Sequence, residues 1–417
     1  MTQRMHYDLG TYQPRDTLYL WWLGQPGQPV WIGTLAMHRA SRGVSLRYAP
    51  QWLAAGFPLS EDLPLLDMTF LPTEKDTAVG AVDDARPDRW GERVIRLLDK
   101  PPRLSLMEYL YYAGDERFGA LGVSLANDAY EPRWLGALPT LEDVQTLDRL
   151  VQMILAGEPV PAKLQRLMAP GGTLGGVRPK ALLDMDRQSW VLKFAETGDL
   201  VDTPLVEHAS MTLAGLAQIR VAKTSPIELA KGHAVAVHRF DREGARRRHA
   251  LSAHVALKAA GETRGYPELS QWLRRRGVSE GSVGRQQMAE LFRRMVFSIL
   301  LDNTDDHEKN HALLMTDRGE FELAPAFDVL PSAQSLGYQQ MRVGADGADA
   351  TLSNALSEHA QFGLNRREAE QLVRSVAVVV DGWRAHFAAC AVTPADIEIL
   401  AQHIDRPFLL DQRTAWR

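Results

Sequence analysis

Apolar and polar positions alternate at short range near the start of the chain. Leu18-Tyr19-Leu20-Trp21-Trp22-Leu23 and Val30-Trp31-Ile32-Gly33-Thr34-Leu35 are two β-branched and aromatic runs, separated by Gly24-Gln25-Pro26-Gly27. Such runs around a Pro/Gly turn predict a hairpin. The β-like pattern continues to about residue 60 and turns more helical through 86–91 and 107–112, which predicts a small α+β domain over residues 1–128. A proline-bearing connector follows, with a helix expected over 141–156. After Pro170 a glycine cluster leads into Ala181-Leu182-Leu183, a polar turn over 184–188, and Trp190-Val191-Leu192-Lys193-Phe194. That reads as a loop feeding two strands, then a helix over 207–217 and a strand over 234–240.

Beyond residue 250 the period lengthens. Met288, Leu291, Phe292, Met295, Val296 and Ile299 recur at the spacing of one buried helical face. Asn365, with Glu368 three residues on, signals a capping box for a helix carrying Leu372, Val376, Trp383 and Phe387. Thr393-Pro394 opens what reads as the last helix. Strands first and helices later predict an α+β fold rather than alternating βαβ units. The division is 1–128, then 129–245 with the glycine loop, then a helical 246–417.

Composition narrows the class. With 45% hydrophobic and 24% charged residues the 417-residue chain is ordinary globular material, and a net charge of −5 carries no global nucleic-acid signature. Cys390 is the sole cysteine, so an intrachain disulfide is excluded and a reducing cytoplasm is expected, with the thiol read as buried and inert. The polar stretch 1–15 has no apolar signal-peptide core, and runs such as 376–380 are too short to cross a bilayer. The expectation is a soluble cytoplasmic protein without membrane contact.

Four constellations carry chemistry. Gly171-Gly172-Thr173-Leu174-Gly175-Gly176-Val177-Arg178-Pro179-Lys180 brings backbone N–H groups and a lysine together, as phosphate binding requires. It is not a Walker loop, because Ala181 stands where Ser or Thr would ligate Mg²⁺. Lys193, taken alone, reads first as the solvent-facing position of a strand. Behind a glycine loop it fits the lysine that pairs α/β-phosphates, oriented by a helix carboxylate for which Glu207 is the candidate. In Asn303-Thr304-Asp305-Asp306-His307-Glu308-Lys309-Asn310-His311, Asp305 precedes Asn310 by five residues. That is the catalytic-loop spacing of a kinase, with Asp305 on the substrate hydroxyl, Asn310 on Mg²⁺ and Lys309 available to phosphate charge. Asp328 is a lone acid in an apolar, proline-bounded run, where a metal is a fitting partner. A competing arrangement, a two-metal phosphohydrolase using Asp305, Asp306, His307, His311 and Asp328, leaves the glycine loop and Lys193 without a role.

Together these segments resemble the HipA family of serine/threonine kinases. The likeness rests on Gly175-Gly176-Val177-Arg178-Pro179-Lys180-Ala181, Val191 to Phe194, His238-Arg239-Phe240-Asp241-Arg242, Asn303 to Asn310 and Pro325-Ala326-Phe327-Asp328. Arg86-Pro87-Asp88-Arg89-Trp90-Gly91 and Gly114 to Leu121 extend it into the N-terminal region. The resemblance implies a two-lobed protein-kinase-like fold, with ATP and Mg²⁺ as cofactors. It casts Asp305 as the catalytic aspartate and Asn310 and Asp328 as Mg²⁺ ligands. Lys193 would bind phosphate, the loop Gly175 to Lys180 would cover it, and His238, Arg239 and Phe240 would form the adenine hinge with Asp241 beyond. His307 and Phe327 fall within the same matched segments and count among the ATP-site residues.

The family also implies autophosphorylation of a serine in the glycine loop, for which Thr173 stands here. It implies a protein substrate such as an aminoacyl-tRNA synthetase, and a separate helix-turn-helix antitoxin through which DNA is met indirectly. The triplets Arg246-Arg247-Arg248 and Arg274-Arg275-Arg276 read as solvated faces. Two other classes share these parts, a small-molecule phosphotransferase and a non-catalytic co-repressor. The retained set Lys193, Asp305, Asn310 and Asp328 argues against the last.

Overall fold

The computed structural model describes residues 12–133, 136–168 and 176–416. The first apolar runs form the expected hairpin: β1 (Thr17–Trp22) pairs antiparallel with β2 (Val30–His38), with a register shift between Leu20 and Trp21. β3 (Gly43–Tyr48), α1 (Pro50–Ala55), the short edge strand β4 (Thr69–Phe70), α2 (Arg89–Val94), α3 (Leu106–Tyr112) and β5 (Leu121–Ser124) complete this part. The sheet order is β4-β3-β2-β1-β5. Period-two alternation points Leu18 and Leu20 into the core, where they join Met107 and Leu110 of α3. The Ser105–Glu108 capping box fixes where α3 begins.

The middle of the chain holds α4 (Val144–Ala156), α5 (Ala162–Gln165), β6 (Lys180–Met185), β7 (Gln188–Lys193), α6 (Thr203–Leu216), β8 (Thr224–Glu228) and β9 (His233–His238). The four strands form an antiparallel sheet in the order β6-β7-β9-β8. Val144, Leu147, Leu150, Val151 and Ile154 form one stripe of α4, packed on Ala181, Leu183, Trp190 and Leu192 of the sheet. Strand β9 stops at His238, two residues short of the expected span, and the Arg239 and Asp241 side chains beyond it hydrogen-bond to backbone groups of the N-terminal domain.

The remainder begins with a hairpin, β10 (Arg242–Glu243) and β11 (Arg246–Arg247), then β12 (Ala250–Ser252), α7 (Ala253–Ala259), α8 (Tyr266–Arg276) and α9 (Val283–Leu300). β13 (Ala312–Met315) and β14 (Phe321–Leu323) complete a small sheet with β12. The chain closes with α10 (Leu352–Ser357), α11 (Arg366–Asp381), α12 (Trp383–Ala389), α13 (Pro394–Ile404) and α14 (Pro407–Ala415). The face predicted for α9 is buried throughout.

Two helical expectations need correction. The stripe from Leu372 to Phe387 belongs to two helices, since α11 ends at Asp381 and α12 restarts after Gly382. The helix opened by Thr393-Pro394 is not the last, for Arg406-Pro407 starts α14. Cys390 caps α12 and is only partly buried. Among the described residues no helix is long and apolar enough to cross a membrane.

The N-terminal domain is welded to the segment after β9. Arg239 donates to Glu116 O at 2.9 Å and Arg117 O at 3.2 Å, while Arg242 donates to Arg117 O at 2.8 Å and Gly119 O at 3.0 Å. Asp241, fully buried, holds both guanidiniums and accepts from Gly119 N at 2.8 Å. Arg247 joins through Asp115 O at 2.5 Å and is buried, so for that residue of the triplet the solvated reading fails. The buried Arg239 and Arg242 charges hold the Asp241 carboxyl down at about 2, against the desolvation that would raise it.

Candidate active site

Lys193 closes β7, so its side chain leaves the sheet where α6 passes beside it. Asp202 caps α6 by accepting from Leu205 N, which places Glu207 on the helix's second turn, buried. Lys193 Nζ donates to Glu207 Oε1 at 2.5 Å and to Asp328 Oδ1 at 2.7 Å. One ammonium thus bridges a helix carboxylate from the sheet side and a loop carboxylate from the helical side. Burial alone would lower the Lys193 ammonium, but Asp328 and Glu207 outweigh it and push its pKa up. Burial would raise Asp328, and Lys193 overrides it, bringing that carboxyl to about 2. Glu207, sharing the same cation, is held above the usual range by its burial.

The polar segment 303–311 joins α9 to β13. Asp302 leaves the helix in the left-handed region at φ 60°, and a 3₁₀ turn spans Glu308–Asn310. Asp306 anchors the segment from beneath. It accepts from Tyr266 Oη at 2.5 Å, from Ser298 Oγ at 3.2 Å and from His311 Nε2 at 3.2 Å, all buried. Its carboxyl stays below the usual range because His311 and these donors outweigh desolvation. Glu308 is tied to His254 at 2.8 Å and to Arg264 at 3.2 Å. Asp306 and His311 are thereby committed to each other inside the core, which removes two ligands from the two-metal arrangement.

Asp305 faces the other way and is exposed. Its carboxyl is pushed up by desolvation, then by the charges of Asp328 and Asp306, with His307 opposing them. Asn310 Nδ2 donates to the backbone carbonyl of Asp305 at 3.4 Å, which ties the Asn310 side chain to that residue's main chain. Asp328 has a φ of 59°, a left-handed conformation rare for residues with a Cβ. Its approach is fixed on the N-terminal side, where Ala326 N donates to Arg220 O at 2.7 Å and Phe327 packs against Phe240 at 5.4 Å.

Of the glycine loop, Thr173 and Gly175 lie outside the described residues. Gly176 has a φ of 101°, and Val177 is exposed. Arg178 is held by Asp199 at 2.9 and 3.1 Å. Lys180, opposite Lys193 in the sheet register, pairs with Asp88 at 2.7 Å. Pro179 O accepts from Phe194 N at 3.0 Å, which continues the strand pairing into the loop. Lys309 is partly buried, and its charge acts on Asp84. His238 lies edge-on to Trp190 at 5.0 Å.

The structure therefore brings Lys193, Glu207 and Asp328 into direct contact, sets the Asn310 side chain against the backbone of Asp305, and sends the Arg239 and Asp241 side chains into the interdomain weld. Asp306, Tyr266 and Asp199 were not assigned supporting roles from the sequence. Their partners lie far along the chain, and no local spacing marks them.

One family model, the HipA-like C-terminal domain, matches residues 172–383, and another, the HipA N-terminal domain, matches residues 28–124. The chain belongs to the HipA family. No curated protein matches it. Among solved structures, a chain of the Shewanella oneidensis MR-1 toxin–antitoxin complex of HipA, HipB and operator DNA aligns with a TM-score of 0.65 at 18% identity. That alignment covers 95% of this chain and 97% of the other. The Helicobacter pylori proinflammatory kinase CtkA aligns with a TM-score of 0.45 at 13% identity, over 59% of this chain and 95% of that one. The HipA fold is two-lobed and kinase-like, and here the β6–β9 sheet and the α7–α14 helices are its lobes, with Lys193 and Asp328 meeting across the cleft.

As for a metal, the Asp328 carboxylate and the Asn310 amide carbonyl are hard oxygen donors of the kind Mg²⁺ takes. Asp328 is a partly exposed carboxylate kept ionised, as a ligand must be. The donor set fits.

Proposed function

We propose that this HipA-family chain is an ATP- and Mg²⁺-dependent serine/threonine protein kinase acting as a toxin. The observation that carries the reading is the Lys193 ammonium held between Glu207 and Asp328 at 2.5 and 2.7 Å. A phosphotransferase needs that lysine on the nucleotide phosphates, and a helix carboxylate keeps it aimed there. Asp328 and Asn310 would hold Mg²⁺, which when bound neutralises charge on the transferring phosphoryl group. Asp305, exposed and raised in pKa, accepts the proton of the attacking hydroxyl at a carboxylate oxygen. Arg178, held by Asp199, and Lys180, held by Asp88, line the glycine loop's descending arm and would offer their remaining N–H groups to phosphate. Val177, Pro179, His307, Lys309 and Phe327, with the backbone of 238–241, complete the nucleotide site in this reading.

The phosphorylated protein is proposed to be a translation component such as an aminoacyl-tRNA synthetase, with Thr173 the autophosphorylation site. A small helix-turn-helix antitoxin is the proposed partner, supported by the HipB present in the Shewanella complex. Incubation with γ-labelled ATP and Mg²⁺ tests the reading. Label on Thr173 or on a partner protein, lost in Asp305→Asn by on the order of 10²–10³ in rate, is the expected result. Labelling that survives Asp305→Asn would sink the catalytic assignment.

A further inference from the structure

The N-terminal domain reaches into the nucleotide cleft through one short segment. Asp84 accepts from Ser252 N at 2.6 Å and from Ser252 Oγ at 2.7 Å. Ser252 is the last residue of β12, paired with Ala312 immediately after the catalytic segment. Four residues on, Asp88 uses its two carboxylate oxygens differently. Oδ1 accepts from Gly91 N at 2.8 Å and caps α2, while Oδ2 takes the Lys180 ammonium at 2.7 Å. Trp90 Nε1 then donates to Lys180 O at 2.7 Å, so the lysine is gripped by both its side chain and its backbone. Side-chain exposure is 8% for Lys180 and 2% for Asp88, so this is a desolvated contact, unlike the solvent-screened pairs of the surface.

We infer that the segment from Asp84 to Trp90 is a strut of the cleft, and that Asp88 is a positioning residue for nucleotide binding, acting through Lys180. Lys180 is the point where the glycine loop becomes β6, and β6 lies beside β7 with Lys180 facing Lys193. Gripping it fixes the descending arm of the loop over the phosphate-binding lysine. The same segment is fastened at Asp84 to the edge of the catalytic segment, so the N-terminal domain touches both walls. The inference rests on the kinase reading of this cleft. It adds that the domain outside the kinase core sets the cleft's affinity for nucleotide.

Asp88→Asn is the informative change, because Asn can keep its oxygen on the α2 cap at nearly the same side-chain volume, while the charge and the acceptor that face Lys180 are both lost. Binding of Mg²⁺ with a non-hydrolysable ATP analogue to the full chain is measured by calorimetry, alongside Lys193→Met, Lys180→Gln, the Asp88→Asn/Lys180→Gln double variant and Asp88→Glu. Asp88→Asn is expected to weaken binding about tenfold, the order expected when a charged partner is lost. The double variant should be no weaker than Lys180→Gln alone, and Asp88→Glu should recover part of the loss. In turnover, KM for ATP should rise while kcat at saturation moves little. Unchanged affinity in Asp88→Asn, or fully additive losses in the double variant, would overturn the strut while Lys193→Met still reports on the kinase reading. Unfolding of Asp88→Asn beside a folded Lys180→Gln would also overturn it, since Asp88 would then serve the fold alone. A wild-type chain that binds no analogue overturns both.

Discussion

His249 lies where the N-terminal domain meets the helical lobe, packed near Trp22, Phe57 and Phe321, with 1% of its surface exposed. Its Nε2–H donates to Leu59 O at 2.8 Å, and Nδ1 is buried without a partner. Desolvation lowers its pKa to about 4, the Leu59 carbonyl opposing only in part. An unfolded histidine titrates near ~6.5. Below that pH the unfolded chain takes up a proton the native one refuses, so stability falls as pH drops from about 6.5 towards 4 and is unaffected above it. Between pH 7.5 and 5.0 linkage gives a loss of about 2 kcal/mol from this one group, rising towards about 3 kcal/mol below pH 4. Other acids and histidines titrate in the same window, so the test is a difference. Urea unfolding of the wild type and of His249→Gln, which keeps a donor for Leu59 O, is measured at both pH values. The variant's stability should fall by about 2 kcal/mol less over that span. Equal falls in the two proteins would refute the claim that the ring is kept neutral by burial.

Lys193→Met should lower phosphoryl transfer by on the order of 10²–10³ and weaken Mg·nucleotide binding, read by radiolabel transfer and calorimetry. Asp241→Asn should destabilise the protein by about 3–5 kcal/mol, because Arg239 and Arg242 are left buried with their counter-charge removed. Equilibrium denaturation checks it, and a loss below about 1 kcal/mol would mean water reaches those guanidiniums.

Much of the secondary structure was legible because its signals are local. The stripe of α9 and the Asn365–Glu368 capping box both lie within a few turns of the residues they organise. The break at Gly382 was not, since the apolar period runs across it and only the backbone shows α11 ending at Asp381 and α12 starting at Trp383. At the site, the residue types and their order pointed to Lys193, Asp305, Asn310 and Asp328. What stayed hidden were contacts between residues far apart in the chain, such as Asp88 with Lys180 and Gly119 with Asp241. No periodicity encodes a pairing of that kind. The Arg-Phe-Asp-Arg run over 239–242 did carry a hint, because alternating charges at the end of a buried strand need partners. Its acid proves to be spent on the interdomain weld.

That weld also bears on how the chain is made. The carbonyls of Glu116, Arg117 and Gly119 emerge from the ribosome long before Arg239, Asp241 and Arg242, which are 122 residues later for the pair Gly119 and Asp241. At elongation rates of about 5–20 residues per second the delay is roughly 6–24 s. During it the first sheet is complete through β5, yet the turn that precedes β5 has only water for its backbone. Docking of the β9 exit onto that turn is therefore a late event in biogenesis, and a nascent chain stalled before residue 239 would display an unfinished edge to chaperones and proteases.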